Sequence, residues 1–415
     1  MRRTSHRWWS RLAALCAITW LAGCTSLGPR LPMPTEQEPQ SPVPGFGVRS
    51  LNASGEFELL SSAEVARRLR ATLGQRPLSI LALSSGGASG AFGAGALVGS
   101  ANDGTQPQFT VVTGVSAGAL VAPFAFLGSS WDEQMASIFT TGMTDGLLQP
   151  RGVAVVFGSS VYSDEPLRRL IERYADGALI AAVAREAAKG RLLLVATTDF
   201  MNGEPVIWDL GSVALHGGED AKPLFQSLLL ASASVPGMLP PVVLRFRSQG
   251  EHRVETHVDG GVTLPFFIAP LPEDLPQAPA AGAITSVRVI IDGPLRDTPH
   301  PTRANAFSIF SRSLSAALSY VTRSKLESTV DALHERGISL DYAAIPASYP
   351  LRGAFDFDPD SERTLFQYAA SCAQAGRLWI HSGSAEPVPA RAPDSASPNC
   401  PADDSFIERL AALKH

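Results

Sequence analysis

Two apolar runs of this chain, close together, break into glycine. Residues 78–97 read LSILALSSGGASGAFGAGAL, and residues 110–120 read TVVTGVSAGAL. Glycine loses more conformational entropy on folding than any other residue. A cluster of glycines therefore marks backbone that turns where a Cβ would clash, or that lets another group come close. A flexible Gly/Ser linker would not follow LSILAL, whose unbroken apolar character is that of a strand buried on both faces.

Similar short β-rich runs recur at FTVVT (109–113), RLLLVATT (191–198) and SVRVIID (286–292). Helical stretches lie between them. DEPLRRLIERYA has acids and Pro166 in its first turn, with Ser163 or Asp164 as its cap, and ALIAAVAREAAKG stops at Gly190. A long amphipathic run, AFSIFSRSLSAALSYVTRSKLESTVDALHERG, closes at Gly337. Strands alternating with helices predict one α/β domain with helices on both faces of a parallel sheet. At 415 residues and 45% hydrophobic content the chain can bury a large core, and it is too apolar for disorder. A net charge of −5 without a basic stretch argues against nucleic acid as a partner.

The ends read differently from the middle. Residues 1–23 carry Arg2, Arg3, Arg7 and Arg11 ahead of an apolar run from Leu12 to Ala22 that is too short to span a bilayer. They end in LAGC, which resembles the bacterial lipobox and implies cleavage before Cys24 and lipid attachment to its thiol. A plain secretory signal is the other reading. Thr25 follows, not the aspartate that suggests inner-membrane retention in enteric bacteria, so the expected address is the cell envelope, anchored in the outer membrane. Residues 24–56 form the lipidated cysteine and a Pro-rich tether, 57–384 the folded domain, and 385–415 a linker-like tail ending in a short docking or frayed helix. Cys372 and Cys400 remain as an even pair in an oxidising compartment, either disulfide-bonded or free.

Gly114-Val115-Ser116-Ala117-Gly118 fits G-x-S-x-G. With a strand before it and a helix former after it, the pattern reads as a nucleophile elbow presenting Ser116 Oγ at the carboxyl end of the sheet. A nucleophilic serine needs donors for an oxyanion and a base for its proton. The amides of Gly86, Gly87 and Ala88 follow a strand and supply the donors. Gly90, Gly93 and Gly95 fit neither phosphate-loop spacing, and no lysine stands where a phosphate loop needs one, so no nucleotide, cofactor or metal is called for. None of His216, His252, His257, His300, His334 and His381 sits in a distinctive setting. HVDGGVTLPF does: Asp259 ends a strand, and Gly260 and Gly261 turn the chain away. The following LPFFIAPLPEDLPQAPAAGA (264–283) leaves Phe266 and Phe267 either at an acyl-binding mouth or in the core.

LSSGGASGAF, GVSAG and VDGGV, in that order, resemble the bacterial patatin-like phospholipases, as do ATTDFMNGEPVIW (196–208) and ASASVPGMLPPV (231–242). The resemblance covers about residues 78–270, weakening toward 380. It implies a three-layer α/β/α fold with a mostly parallel central sheet, a lipid ester as substrate, and a Ser116–Asp259 dyad without histidine. The family's loop reads Gly-Gly-Gly-x-Arg/Lys-Gly, whereas Ser85 takes the first glycine position here and Ser89 the basic one. Two further readings stay open: a silent lipoprotein that uses the fold to bind lipid or protein, and an α/β-hydrolase with a triad histidine.

Overall fold

The computed structural model describes residues 47–403 apart from 74–77, 103–106, 153–157, 269–283, 297–301, 303 and 383–398. The leader, Cys24, most of the tether, His300 and the C-terminal helix fall outside the described residues.

The strands run β1 (Val48–Leu51), β2 (Phe57–Leu60), β3 (Leu78–Leu83), β4 (Val111–Val115), β5 (Gln149–Pro150), β6 (Tyr162–Ser163), β7 (Leu192–Asp199), β8 (Glu204–Asp209), β9 (Val242–Ser248), β10 (Glu251–Asp259), β11 (Ile284–Ile291), β12 (Leu340–Ala344) and β13 (Ile380–Ser382). The helices are α1 (Ser62–Leu73), α2 (Gly90–Asn102), α3 (Ala117–Leu127), α4 (Asp132–Thr140), α5 (Glu165–Tyr174), α6 (Gly177–Ala187), α7 (Leu210–His216), α8 (Ala221–Ser232), α9 (Ala306–His334) and α10 (Pro359–Gln374). All four strands expected from apolar runs are present, as are the three helices. At α5 the cap position falls to Asp164, whose carbonyl accepts the first helical bond from Arg168 N–H at 2.8 Å. Its carboxylate makes no capping bond and pairs with the Arg168 side chain at 2.9 Å, while Ser163 Oγ accepts from Glu165 N–H at 3.2 Å.

The centre of the sheet is the parallel set β7-β4-β3-β11-β12, every residue of β3 and β4 being buried. This is the mostly parallel α/β sheet flanked by helices. One apolar core packs between the sheet and α2, α3, α8 and α10. The other packs beneath α1 and α9 and takes in Phe266 and Phe267, 0% and 2% exposed, so these rings are core and not a mouth. Cys372 on α10 and Cys400 form a disulfide with Cα atoms 5.6 Å apart, tying the end of the described chain to that helix.

Two features depart from the sequence reading. The stretch read as tether through residue 56 contributes β1, which lies between β2 and β8 inside the sheet. VRSL is too short and too mixed to announce a strand, and only its neighbours make it one. The sheet also does not end in a free edge on this side. β7, β8, β1, β2, β9 and β10 follow one another until β10 returns to pair with β7, closing a ring of strands. Phe57, Trp208 and Phe246 meet edge to face within it, with centroids 5.0 to 5.5 Å apart.

Candidate active site

Strand β7 sets the geometry. Its first half pairs with β4, ending at Val115 opposite Ala196, and its next residue, Thr197, pairs with Asp259 at the end of β10. β8 occupies the other edge of β7 along the same residues, so β4 and β10 share one edge and meet end to end. Ser116, one residue past β4, therefore faces Asp259 from the register alone.

Ser116 takes φ 55° and ψ −120°, a left-handed conformation that is costly for a residue with a side chain. The turn is held from behind: Ser116 N–H donates to Ser232 Oγ at 3.0 Å, and Ser232 Oγ donates to Ala196 O at 2.7 Å. Gly118 lets α3 start against β3, since a Cβ there would lie 2.6 Å from Leu83 O. Gly114 and Gly260 are packed as closely, against Gly118 O and Ala196 O.

Ser116 Oγ donates to Asp259 Oδ2 at 2.5 Å, and Gly261 N–H donates to Asp259 Oδ1 at 2.7 Å. Both side chains are buried. Burial pushes the Asp259 carboxyl up to about 7 against the opposing pull of the Ser116 and Gly261 hydrogen bonds. A base is most effective near the working pH, so burial corrects the weakness of an ordinary aspartate, which titrates near 4.

The Gly-rich loop is a short 3₁₀ turn, Gly87–Ser89, leading into α2. Of its three expected donors the structure frees two. Among the described residues no partner takes the amides of Gly86 and Gly87, but Ala88 N–H already donates to Ala354 O at 2.8 Å. Ala354 comes from the segment before α10, which no local pattern could have placed here. Gly87 has φ +58°, and a Cβ on it would lie 2.0 Å from the same carbonyl. The amide of Ala117 opens α3, where the first N–H groups lack helical partners. Ser85 donates its N–H to Pro265 O at 2.9 Å, and Ser89 is buried.

No imidazole among the described residues touches Ser116 or Asp259. His257 is buried inside the strand ring between Thr197 Oγ1 and Glu255 Oε2, each at 2.9 Å. His381 pairs with Asp341, and His216, His252 and His334 are exposed.

Asp292 escaped the sequence reading. It directly follows β11 much as Asp259 ends β10, and the signal was there: IIDGP repeats the acid-then-glycine ending of HVDGG. Its Oδ1 accepts from Gly93 N–H at 2.8 Å, and its own N–H donates to Ser84 Oγ at 2.9 Å. Its backbone and Cβ lie against Gly86. Burial raises its carboxyl well above the usual range.

No curated protein matches the chain. Among solved structures it is similar to the crystal structure of VipD from Legionella pneumophila, at 11% identity over 84% of this chain and 73% of that one, with a TM-score of 0.33. The family model described as patatin-like phospholipase matches residues 81–271, a span that contains the Gly-rich loop, Ser116 and Asp259. Residues 81–271 are thus similar to the patatin-like phospholipases, and lipid acyl hydrolysis is the activity class that this match implies.

Proposed function

We propose that this protein is a lipid-anchored serine esterase or phospholipase in which Ser116 and Asp259 act as a dyad. The observation that carries the reading is the 2.5 Å hydrogen bond from Ser116 Oγ to Asp259 Oδ2. Ser116 Oγ attacks the carbonyl carbon of a lipid ester as Asp259 Oδ2 takes its proton. The carbonyl oxygen, now an oxyanion, accepts from Gly86, Gly87 and Ala117 N–H at the start of α3, whose dipole favours negative charge. The C–O bond to the leaving alcohol breaks, and Asp259 returns the proton to that oxygen. Water then attacks the acyl carbon as Asp259 takes its proton, the bond from that carbon to Ser116 Oγ breaks, Asp259 returns the proton to Oγ, and the free acid departs. A carboxyl that titrates near 7 suits protonation of an alkoxide.

One observation favours a silent scaffold instead: the loop amide of Ala88 is spent on Ala354 O. One experiment separates the readings. Envelope fractions of cells expressing wild type, Ser116→Ala or Cys24→Ser are treated with a fluorophosphonate probe. Label is expected on wild type and absent from Ser116→Ala. It should move from the membrane to the soluble fraction in Cys24→Ser. An unlabelled, folded wild type would favour the scaffold, and label that stays with the membrane in Cys24→Ser would remove the anchor.

A further inference from the structure

An apolar cavity of about 60 Å³ is lined by Gly87 of the Gly-rich loop and by Ala117, the residue that follows Ser116 in the chain. Leu120, Phe124, Phe139 and Leu229 are among its walls. It offers room for about four water-sized groups, at roughly 15 Å³ each. If Ser116 is the nucleophile, a carbonyl held over it directs one substituent into this space, and the apolar walls select hydrocarbon.

The cavity nevertheless contains carboxylic oxygen. Glu362, in the first turns of α10, lines it while only 2% exposed. Its Oε2 accepts from the Thr144 hydroxyl, also in the wall, and among the described residues its Oε1 has no partner. The third polar group in the wall, Tyr174 OH, is engaged by Met143 Sδ and Ser137 Oγ. Burial pushes the Glu362 carboxyl up to about 7, against the Thr144 bond and with help from the negative charges of Asp356 and Asp358. A buried polar atom without a hydrogen bond costs free energy, and a leucine at this position would pack the cavity at no such cost. α10 does not need Glu362 at its start either, since the Asp358 carboxylate caps it by accepting from Ser361 N–H at 3.0 Å.

We infer that the cavity is an acyl pocket for a hydroxylated chain, whose hydroxyl bonds to Glu362 Oε1 beside Thr144; this rests on the hydrolase reading. A hydroxyl donating to Oε1 completes the carboxyl's bonding, whereas a plain chain buries that oxygen unpaired. Sites built around a buried substrate hydroxyl discriminate strongly against analogues that lack it.

The test compares methyl hexanoate with its 3-hydroxy and 6-hydroxy derivatives, which do not cyclise readily, with the released acid quantified by mass spectrometry. In the full-length protein the better hydroxy ester should exceed methyl hexanoate in kcat/KM by about tenfold or more. Glu362→Leu should bring the ratio to one or below. Glu362→Gln, of the same shape and still able to hydrogen-bond, should keep it above one and serves if the leucine variant fails to fold. A wild-type ratio near one, or one that Glu362→Leu leaves unchanged, overturns the hydroxyl site while leaving the hydrolase reading standing. If no ester is cleaved in a Ser116-dependent way, the hydrolase reading fails and the acyl pocket fails with it.

Discussion

Strand β10 carries two buried carboxyl groups four residues apart, and they are treated in opposite ways. Glu255 lies within the strand ring, where Arg49 donates to both its oxygens, at 2.6 and 3.2 Å, and His257 Nε2 lies 2.9 Å away. Burial would raise it, but the His257 hydrogen bond and the Arg49 charge together hold it down at about 2. Arg49 in turn stacks 4.9 Å over Trp208. Asp259, at the end of the same strand, is given one hydroxyl and one amide and, among the described residues, no cation, and burial takes it up to about 7. Both are desolvated acids. What separates them is whether a positive charge was brought in with them. A carboxyl with a guanidinium is permanently ionised and structural, whereas one with only neutral donors keeps a proton affinity useful at neutral pH.

The largest effect should come from exchanging each acid for its amide. Asp259→Asn should lower kcat by three orders of magnitude or more, because the proton acceptor disappears while shape is kept. Glu255→Gln should leave kcat within about tenfold but cost stability, on the order of 3 kcal/mol, because the buried Arg49 loses its counter-charge. Steady-state kinetics and denaturant melts of the two variants read this directly. Should folded Glu255→Gln lose as much kcat as Asp259→Asn, the ring cluster would be part of the chemistry and the contrast would collapse.

The same division between finished and waiting groups runs through the Gly-rich loop. Ala88 N–H is finished, bound to Ala354 O, while among the described residues nothing takes Gly86 and Gly87 N–H, the amides that the proposed function leaves for substrate. Gly87→Val should reduce kcat by about 10²-fold, since its Cβ would collide with Ala354 O and displace an oxyanion donor. Ser89→Ala, at the position where the resemblance leads one to expect a cation, should retain most activity on a neutral ester. An essential Ser89 beside a tolerant Gly87 would mean that the donors are wrongly assigned.

What the sequence made legible and what it hid follow from where the information resides. Ser116 sits in an elbow whose strand, turn and helix are contiguous, and Asp259 is announced by the two glycines after it. Their meeting depends on the register of β7, yet each half could be read alone. Ala354 against Ala88, Glu362 against Thr144 and Arg49 against Glu255 join segments far apart in the chain, and nothing in either segment points to the other. β1 is hidden for the same reason, since four residues of mixed character become a strand only between β2 and β8. Asp292 is the exception. Its IIDGP ending could have been read by analogy with HVDGG, and its contact with Gly86 and Gly93 would have pointed to the loop.

The last consequence is a pair of stability changes of opposite sign. An unfolded aspartate titrates near 4. In the folded protein Asp259 holds its proton up to about 7, so between these values the native state binds more protons than the unfolded state. Its contribution to stability is then full below about pH 4 and is lost as pH rises through about 7. Glu255 behaves in reverse. With its folded value held near 2, its contribution is full above the unfolded value of about 4.3 and is lost only as pH falls toward 2. Other raised carboxyls, among them Asp209 and Asp292, are common to wild type and both variants and cancel in differences. Thermal melts at pH 8 should therefore find Asp259→Asn several degrees more stable than wild type and Glu255→Gln several degrees less stable. The Asp259→Asn advantage should shrink toward zero at pH 4, where wild-type Asp259 is protonated folded and half-protonated unfolded. In the same samples wild-type kcat/KM should fall about tenfold for each pH unit below 7, because the state that stabilises the fold is the protonated one that cannot act as a base. An Asp259→Asn variant no more stable than wild type at pH 8 would show that ionised Asp259 is not held at a cost, and that some cation reaches it after all.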